Sequence, residues 1–128
     1  MAKTNFDGSW KITKMEQWNQ ADVDLVVPGF VRFDGETGEL QFICVRGDLS
    51  CVYTTTRGRP HVQWAWVGQD EFDPCSGSGR ARIDKTGKLV GFIQIHHGDG
   101  SAFEAKKSAK RLEGYQPGPK WGGRGRWR

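Results

Sequence analysis

The fold is decided by the stretch ARIDKTGKLVGFIQI, residues 81–95, in which two alternating apolar runs flank a short polar segment. Lys85, Thr86 and Gly87 suit a type I turn followed by a left-handed glycine, which pairs Ile83 with Leu89. Alternation of this kind predicts strands rather than a helix. The stretch therefore predicts an antiparallel hairpin, one face of which carries Ala81, Ile83, Leu89, Gly91, Ile93 and Ile95.

Similar alternation and turn residues recur along the chain and divide residues 1–107 into about eight strands. The composition, with 18 Gly, six Trp and seven Phe among short runs of Val, Ile and Thr, is typical of an all-β protein. A chain of 128 residues is long enough for one hydrophobic core. We expect an antiparallel up-and-down β-barrel, because closure removes the exposed edges of a sheet. Residues 108–128 are expected to form a basic C-terminal tail.

One segment, MEQWNQADVDLV at residues 15–26, departs from the strand pattern. Its apolar residues Met15, Trp18, Val23 and Val26 have spacings that suit an amphipathic helix. We therefore expect one short helix after the first strand, covering or abutting an end of the barrel.

Turn chemistry predicts two further hairpins. Across FDGETGEL, a four-residue loop would pair Phe33 with Leu40. Across CVRGDLSC, a two-residue turn at Gly47–Asp48 would pair Cys44 with Cys51, and this turn explains the Arg-Gly-Asp triplet better than an adhesion motif does.

Two adjacent histidines lie at the end of an apolar strand, in IHHGDGSAF. A loop at residues 98–100 would pair His97 with Ser101, whereas a turn at residues 99–100 is the alternative. The first register places His97 on the inner face at a barrel mouth and points His96 outward, so the two imidazoles could not readily bind one metal ion. His97 would then contact a polar group of a ligand, act as an acid or base, or simply be satisfied by Ser101 near the turn.

The opening NFDGSWKI resembles the start of the calycin superfamily, which comprises lipocalins, fatty-acid-binding proteins and avidin-like barrels. The resemblance implies a barrel whose closed end is plugged by a G-x-W motif, here matched by Phe6, Gly8, Trp10, Lys11 and Ile12. The chain lacks both the two-helix lid of fatty-acid-binding proteins and the T-D-Y motif of lipocalins, so no ligand-binding residue is transferred from these families. The body also resembles a family of small uncharacterised bacterial proteins, which implies no function.

Trp64 and Trp66 share one face of the strand VQWAWV, where two indoles either fill a small barrel or line a binding cavity with their N–H groups as donors. Our leading hypothesis is non-enzymatic binding of a small apolar or aromatic ligand inside the barrel. The expected ligand-binding residues are Trp64, Trp66, Tyr53, Phe42 and His97. A barrel isomerase or cyclase that uses His97 is an alternative.

The stretch GQDEFDPCSGSG, residues 68–79, gathers Asp70, Glu71 and Asp73 but lacks the calcium-loop pattern, so it predicts a solvated hairpin loop with an exposed Cys75. The three cysteines fit neither a zinc template nor a complete set of disulfides. We expect free thiols, and no metal ion or cofactor.

The charge is distributed unevenly, because residues 106–128 hold eight Lys or Arg and one Glu, which gives +7, and the remainder sums to −3. The tail predicts either nucleic-acid binding, a contact with an acidic protein partner, or folding back onto the acidic body. The candidate nucleic-acid-binding residues are Lys120, Trp121, Arg124, Arg126 and Trp127. No signal peptide or membrane-spanning segment is evident, so we expect a cytoplasmic location.

Overall fold

The computed structural model describes residues 5–114, which form a closed barrel of eight antiparallel strands with one short helix. The elements are β1 (Gly8–Met15), α1 (Gln20–Val23), β2 (Phe30–Asp34), β3 (Thr37–Phe42), β4 (Val45–Thr56), β5 (Arg59–Asp70), β6 (Asp73–Ile83), β7 (Leu89–Ile95) and β8 (Gly100–Ser108). Each strand pairs with its neighbours in chain order, and β8 pairs with β1. The expected up-and-down barrel is confirmed.

The strand order places the connections at two ends of the barrel, which we name end A and end B. End A carries the β2–β3, β4–β5 and β6–β7 turns, together with the start of β1 and the end of β8. End B carries the β1–β2 connection with α1, and the β3–β4, β5–β6 and β7–β8 turns.

The β1–β2 connection packs against the core at end B. Asn19 caps α1, because its side-chain oxygen accepts a hydrogen bond of 2.9 Å from the Asp22 N–H. Val23 is fully buried, and the Trp18 ring lies 5.7 Å from the ring of Phe42. The connection therefore contributes apolar side chains to this end of the core.

The helix is shorter than the predicted segment of residues 15–26. Met15 belongs to β1, and α1 ends at Val23. The Asp24 carboxylate then accepts hydrogen bonds from Lys11 at 3.2 Å and from the Gly29 N–H at 2.7 Å. These bonds stabilise a loop that returns directly to β2, in place of a longer helix.

Tryptophans from β5 pack over glycines of β6 inside the barrel. Trp64 pairs with Gly79 and Trp66 with Gly77. A Cβ atom on Gly79 would lie 2.2 Å from Cε2 and Cζ2 of Trp64, and one on Gly77 would lie 2.8 Å from Cε2 and Cζ2 of Trp66. Glycine is required here for close packing. The buried interior also includes Trp10, Ile12, Phe33, Leu40, Phe42, Leu49, Val62, Leu89, Ile93 and Phe103.

The β6–β7 hairpin has the predicted register. Ile83 pairs with Leu89, and the Asp84 N–H donates to the Lys88 carbonyl at 2.8 Å. Gly87 has a φ of +88°, as the left-handed turn position requires. The prediction made from local turn chemistry is confirmed here.

The β2–β3 hairpin forms with a tighter turn than predicted. Phe33 pairs with Gly38 rather than with Leu40, and Leu40 pairs with Val31. Gly35 adopts a φ of +72° in the turn, a conformation that glycine tolerates without strain. The shift of two residues leaves every side chain on its predicted face.

The predicted turn at Gly47–Asp48 is wrong, because both residues lie inside β4. The Trp66 ring packs against Gly47, where a Cβ atom would lie 2.6 Å from Cε3 of the indole. The actual turn includes Cys44, and Cys51 pairs with Trp64 on β5. The proposed Cys44–Cys51 pairing is therefore wrong as well.

The predicted loop at residues 68–79 is mostly strand. β5 extends to Asp70 and β6 begins at Asp73, which leaves a two-residue turn. Cys75 is half-buried on β6 rather than exposed. The glycine-serine run forms a strand because the tryptophans opposite it supply the packing that its own side chains lack.

The β7–β8 hairpin places the histidines in its turn. Ser101 pairs with Ile93, so the predicted pairing of His97 with Ser101 is wrong. The Ile95 N–H donates to the Asp99 carbonyl at 3.0 Å, and His97 has a φ of +63°. His97 is exposed at end B and does not continue the inner face.

Residues 109–114, which we name the C-terminal strap, fold back onto the outer face of the barrel. The Leu112 N–H donates to Oγ of Ser9 at 2.8 Å, and Arg32 Nη1 donates to the Leu112 carbonyl at 2.6 Å. Both main-chain groups of Leu112 are thus held by side chains of β1 and β2.

A buried ionic network lies beneath this strap. The Glu39 side chain is 4% exposed and accepts hydrogen bonds from Arg32 Nη1 at 2.9 Å and from Arg46 Nε at 2.6 Å. Burial acts to lower the pKa of Arg32, but Asp34 and Glu39 more than offset it and raise the pKa overall. The guanidinium therefore stays charged under the strap.

Candidate functional site

A cleft of about 830 Å³ opens at end A, where strands from both halves of the chain meet. Its volume falls in the range typical of small-molecule sites. The cleft is bordered by the first residues of β1, the β4–β5 hairpin, the end of β6 and the end of β8. Its walls include Phe6, Trp10, Tyr53, His61, Ile83 and Lys107.

Three aromatic side chains form one side of the cleft, which we name the aromatic floor: Phe6, Trp10 and Tyr53. The Phe6 ring lies 5.9 Å from Tyr53 and packs edge-on against Phe33 at 6.1 Å. The Trp10 indole N–H donates to the Phe6 carbonyl at 2.8 Å. Phe6 and Trp10 are almost fully buried and join the floor to the core, so the half-buried Tyr53 provides most of the accessible aromatic surface.

Lys107 brings a positive charge to the cleft from β8. It pairs with Trp10 across the β1–β8 closure, and its ammonium lies 4.8 Å from the centre of the Trp10 ring. The same group donates to the Asp7 carbonyl. Partial burial lowers the pKa of Lys107, and the Asp7 carboxylate opposes that shift. Lys107 is thus positioned beside the aromatic floor.

The Tyr53 hydroxyl ties the floor to the β2–β3 turn. It donates to the Gly35 carbonyl at 2.5 Å, and the Gly35 N–H donates to Oδ1 of Asp7 at 3.1 Å. These bonds connect the segment before β1 with the turn and with β4. The cleft is therefore held by main-chain contacts as well as by packing.

Further cations lie along the rim of end A. Arg59, Arg82 and Lys85 are exposed and line a groove between the β4–β5 and β6–β7 hairpins, which shares Pro60 and Ile83 with the cleft. Asp84 lies in this groove, where hydrogen bonds from Thr86 and from the Thr86 and Lys88 N–H groups lower its pKa. End A therefore presents Lys107 beside the aromatic floor and three further cations in the adjoining groove.

The structure separates the five side chains that were predicted to bind a ligand. Tyr53 lines the cleft, whereas Trp64, Trp66 and Phe42 are buried in the barrel interior. The indole nitrogens of Trp64 and Trp66 are buried without a hydrogen-bond partner among the described protein atoms. His97 lies at the opposite end of the barrel.

His96 and His97 lie next to each other in the β7–β8 turn, with ring centroids 4.0 Å apart. The prediction that they point in opposite directions is wrong, because both residues belong to a turn and not to a strand. Within residues 5–114, no group of three or more His, Cys, Asp or Glu side chains could hold a metal ion.

The three cysteines are free thiols, as expected. Burial raises the pKa of Cys51 to about 11, so its thiol is unreactive at neutral pH. Burial also raises the pKa values of Cys44 and Cys75, and the charge of Asp70 contributes to both shifts. None of the three has the depressed pKa of a nucleophilic thiol.

Sequence reasoning missed most of the cleft. Phe6 and Lys107 are far apart in the chain and meet only because β1 pairs with β8. His61, near the start of β5, also borders the cleft. The available signal was the G-x-W opening, but it predicted that Trp10 plugs a closed end of the barrel, whereas the cleft lies at that end and Trp10 lines it. The predicted nucleic-acid-binding residues of the tail lie outside the described residues.

The fold is a small closed barrel of eight antiparallel strands, which is consistent with a calycin-like barrel, and it has a cleft at end A. No protein-family model and no curated protein matches the sequence. Among the elements described, no helix has the length and apolar character needed to cross a bilayer.

Proposed function

We propose that the protein is a non-enzymatic binding module that holds a small ligand, with an apolar or aromatic body and an anionic group, in the end-A cleft. The observation that carries this proposal is the combination of an aromatic floor with the ammonium group of Lys107 in a cleft of about 830 Å³. Ligand sites in proteins are typically apolar and contain a few polar groups that orient the ligand.

The apolar part of the ligand would lie on the aromatic floor. Phe6 and Tyr53 are already tilted towards each other at 5.9 Å, and Phe33 continues the ring cluster behind them towards Trp64, at 5.5 Å. Because the floor is packed before a ligand arrives, little conformational entropy would be lost on binding. Trp64 thus supports the floor from inside the barrel. Direct contact of a ligand with Trp64, Trp66 or Phe42 stays a prediction.

The anionic part would face Lys107, with Arg59 and Arg82 farther out on the rim. A hydrogen bond between a charged donor and an anion is stronger than one between neutral groups. His61 adds a group on the opposite strand that can donate or accept a hydrogen bond.

Binding is favoured over catalysis because two polar groups of the cleft already make structural bonds, although the Lys107 ammonium has further N–H donors for an anion. The Tyr53 hydroxyl donates to Gly35, and Lys107 donates to Asp7. The isomerase or cyclase alternative relied on His97, which lies at end B and cannot act on a ligand at end A.

The test uses 8-anilinonaphthalene-1-sulfonate, a fluorescent aromatic sulfonate, with the folded full-length chain. Lys107→Met should weaken binding about tenfold, the effect of losing one charge-assisted contact of about 1.5 kcal/mol. Lys106→Met is the matched control, because Lys106 is exposed on the outer face of the same strand. Decanoate and indole-3-acetate should displace the probe.

Near-ultraviolet circular dichroism must remain native during the titration, because the probe also binds partly unfolded proteins. Equal effects of the two lysine substitutions, or no binding by the native protein, would refute the proposal.

A further inference from the structure

The β5–β6 turn exposes an aromatic side chain among acidic residues at end B. In this acidic tip, residues 70–73, Glu71 and Phe72 form a turn between two paired aspartates. Phe72 is 94% exposed, and all three carboxylate side chains of the tip are exposed as well. The Glu71 N–H donates to the Cys44 carbonyl at 3.1 Å, which holds the tip against the β3–β4 turn.

A single exposed apolar residue does not by itself indicate a partner. Phe72 is notable because the opposite end of the same molecule offers the complementary surface. The end-A cleft provides an aromatic floor for a ring, and Arg59, Arg82 and Lys107 provide cations around it. The acidic tip and the end-A cleft thus match in both apolar character and charge.

We propose that the acidic tip of one copy docks into the end-A cleft of a second copy. Phe72 contacts the aromatic floor, and the carboxylates of Asp70, Glu71 and Asp73 face the rim cations. This inference rests on the cleft of the proposed function, and it identifies the occupant as an acidic aromatic segment of the chain itself.

The geometry determines the kind of assembly. The tip and the cleft lie at opposite ends of the barrel, so one molecule cannot fill its own cleft with its own tip. Each docking event leaves a free tip on one copy and a free cleft on the other. Contacts of this head-to-tail type repeat and produce linear chains unless they close into a ring.

Association should be weak and dependent on salt. One aromatic side chain and a few solvent-exposed charge pairs suggest a dissociation constant on the order of 0.1–1 mM. Exposed charges are screened at high ionic strength. Sedimentation velocity of the full-length protein from about 10 to 500 µM should therefore show growing assemblies at about 50 mM NaCl and smaller ones at about 300 mM NaCl.

Three variants test the contact itself. Phe72→Ser should weaken association about tenfold or more, since a central aromatic anchor dominates small interfaces. Val67→Ser, at a side chain 64% exposed on the outer face of β5, is the matched control and should leave association unchanged. The double substitution Arg59→Glu and Arg82→Glu should weaken association from the cleft side.

Mixing the variants gives the decisive result. The Phe72→Ser variant keeps its cleft, and the Arg59→Glu/Arg82→Glu variant keeps its tip. Each should sediment as a monomer alone, whereas an equimolar mixture should form a complex that stops at two copies.

Several results would overturn the inference: a monomeric wild type at 500 µM and low salt, no complex in the mixture, or association lost on deletion of residues 116–128 but unaffected by Phe72→Ser. The last result would show that the basic tail, and not the contact of Phe72 with the cleft, drives association. Binding of the sulfonate probe by the Phe72→Ser variant separates the two proposals. If the Phe72→Ser variant binds the probe but the wild type stays monomeric, only the docking proposal is contradicted. If the wild type assembles but the Phe72→Ser variant does not bind the probe, only the small-ligand function is contradicted.

Discussion

Replacing Gly79 by alanine tests the packing of tryptophan on glycine that fills the barrel. The new Cβ atom would lie 2.2 Å from Cε2 and Cζ2 of Trp64, whereas carbon atoms in contact normally lie about 3.5–4.0 Å apart. The indole must therefore move by more than 1 Å, into an interior that is already occupied by Phe33 and Phe103.

Two effects of this substitution oppose each other. Gly79 does not have a positive φ, so its backbone accepts alanine, and the stiffer unfolded chain would stabilise the protein by about 0.4–1 kcal/mol. Overpacking of a filled core costs about 1–3 kcal/mol. Since the clash involves two ring atoms, the destabilisation by overpacking should exceed the stabilisation through the unfolded chain. We therefore expect the free energy of unfolding to fall by about 1–2 kcal/mol.

Urea denaturation followed by far-ultraviolet circular dichroism measures this change, and a double-mutant cycle assigns its cause. Trp64→Phe replaces the indole, whose Cε2 and Cζ2 atoms lie nearest to Gly79, by a smaller ring, so Gly79→Ala should cost about 1 kcal/mol less in that background. An equal cost in both backgrounds, or a more stable Gly79→Ala protein, would refute the packing argument.

The other predictions concern the ionic network, a buried thiol and the tail. Glu39→Gln should destabilise the fold by about 1.5–3 kcal/mol, because Arg32 and Arg46 lose their shared carboxylate while Arg32 keeps its bond to Asp34. Glu104→Gln at the exposed pair with Lys88 should cost about 0–1 kcal/mol. Similar urea midpoints for the two variants would contradict the network. For Cys51, whose folded pKa of about 11 lies above the ordinary value of 9.0, the stability gained by keeping the thiol protonated is complete below pH 9 and is lost as the pH rises through 11. Cys51→Ala should therefore lose less stability between about pH 8 and 10.5 than the wild type, and parallel losses would argue against the shift. If the tail binds nucleic acid, its affinity for single-stranded oligonucleotides should fall steeply between about 50 and 200 mM salt, and deletion of residues 116–128 should abolish most of the binding. Trp121→Ala and Trp127→Ala should each cost about 1–3 kcal/mol per stacked base, and an absence of binding at the lower salt concentration would end this hypothesis.

The facing of side chains was predicted more accurately than the strand register. Phe33 pairs with Gly38 instead of Leu40, and Ser101 pairs with Ile93 instead of His97. Each error shifts the register by an even number of residues, and side chains alternate with a period of two, so inner and outer faces are preserved. Trp64 is therefore buried as predicted, although several turns lie elsewhere.

Turn residues misled the prediction where tertiary packing opposed them. Gly47–Asp48 has strong turn chemistry, but Gly47 is needed inside β4 to accommodate the Trp66 ring. Gly77 and Gly79 were assigned to a loop for the same reason. Paired W-x-W and G-x-G motifs were a readable signal for these contacts, because both have the two-residue period of a strand.

The cleft could not be predicted from local patterns. It depends on the pairing of Trp10 with Lys107, which joins the first and last strands, and on Phe6, which precedes the first strand. Turn residues predict pairing only between strands that follow each other in the sequence, so they do not predict that residue 10 pairs with residue 107.

Because β1 pairs with β8, the barrel cannot close until the last strand has been synthesised. Until β8 emerges from the ribosome, β1 and β7 are both edges with unpaired N–H and C=O groups. A nascent chain that has reached only β7 is therefore a curved sheet that can recruit strands from other chains at two places. Codon changes that slow translation between residues 95 and 108 would lengthen the time during which the two edge strands are unpaired. The yield of soluble protein would then depend on how fast β8 is synthesised.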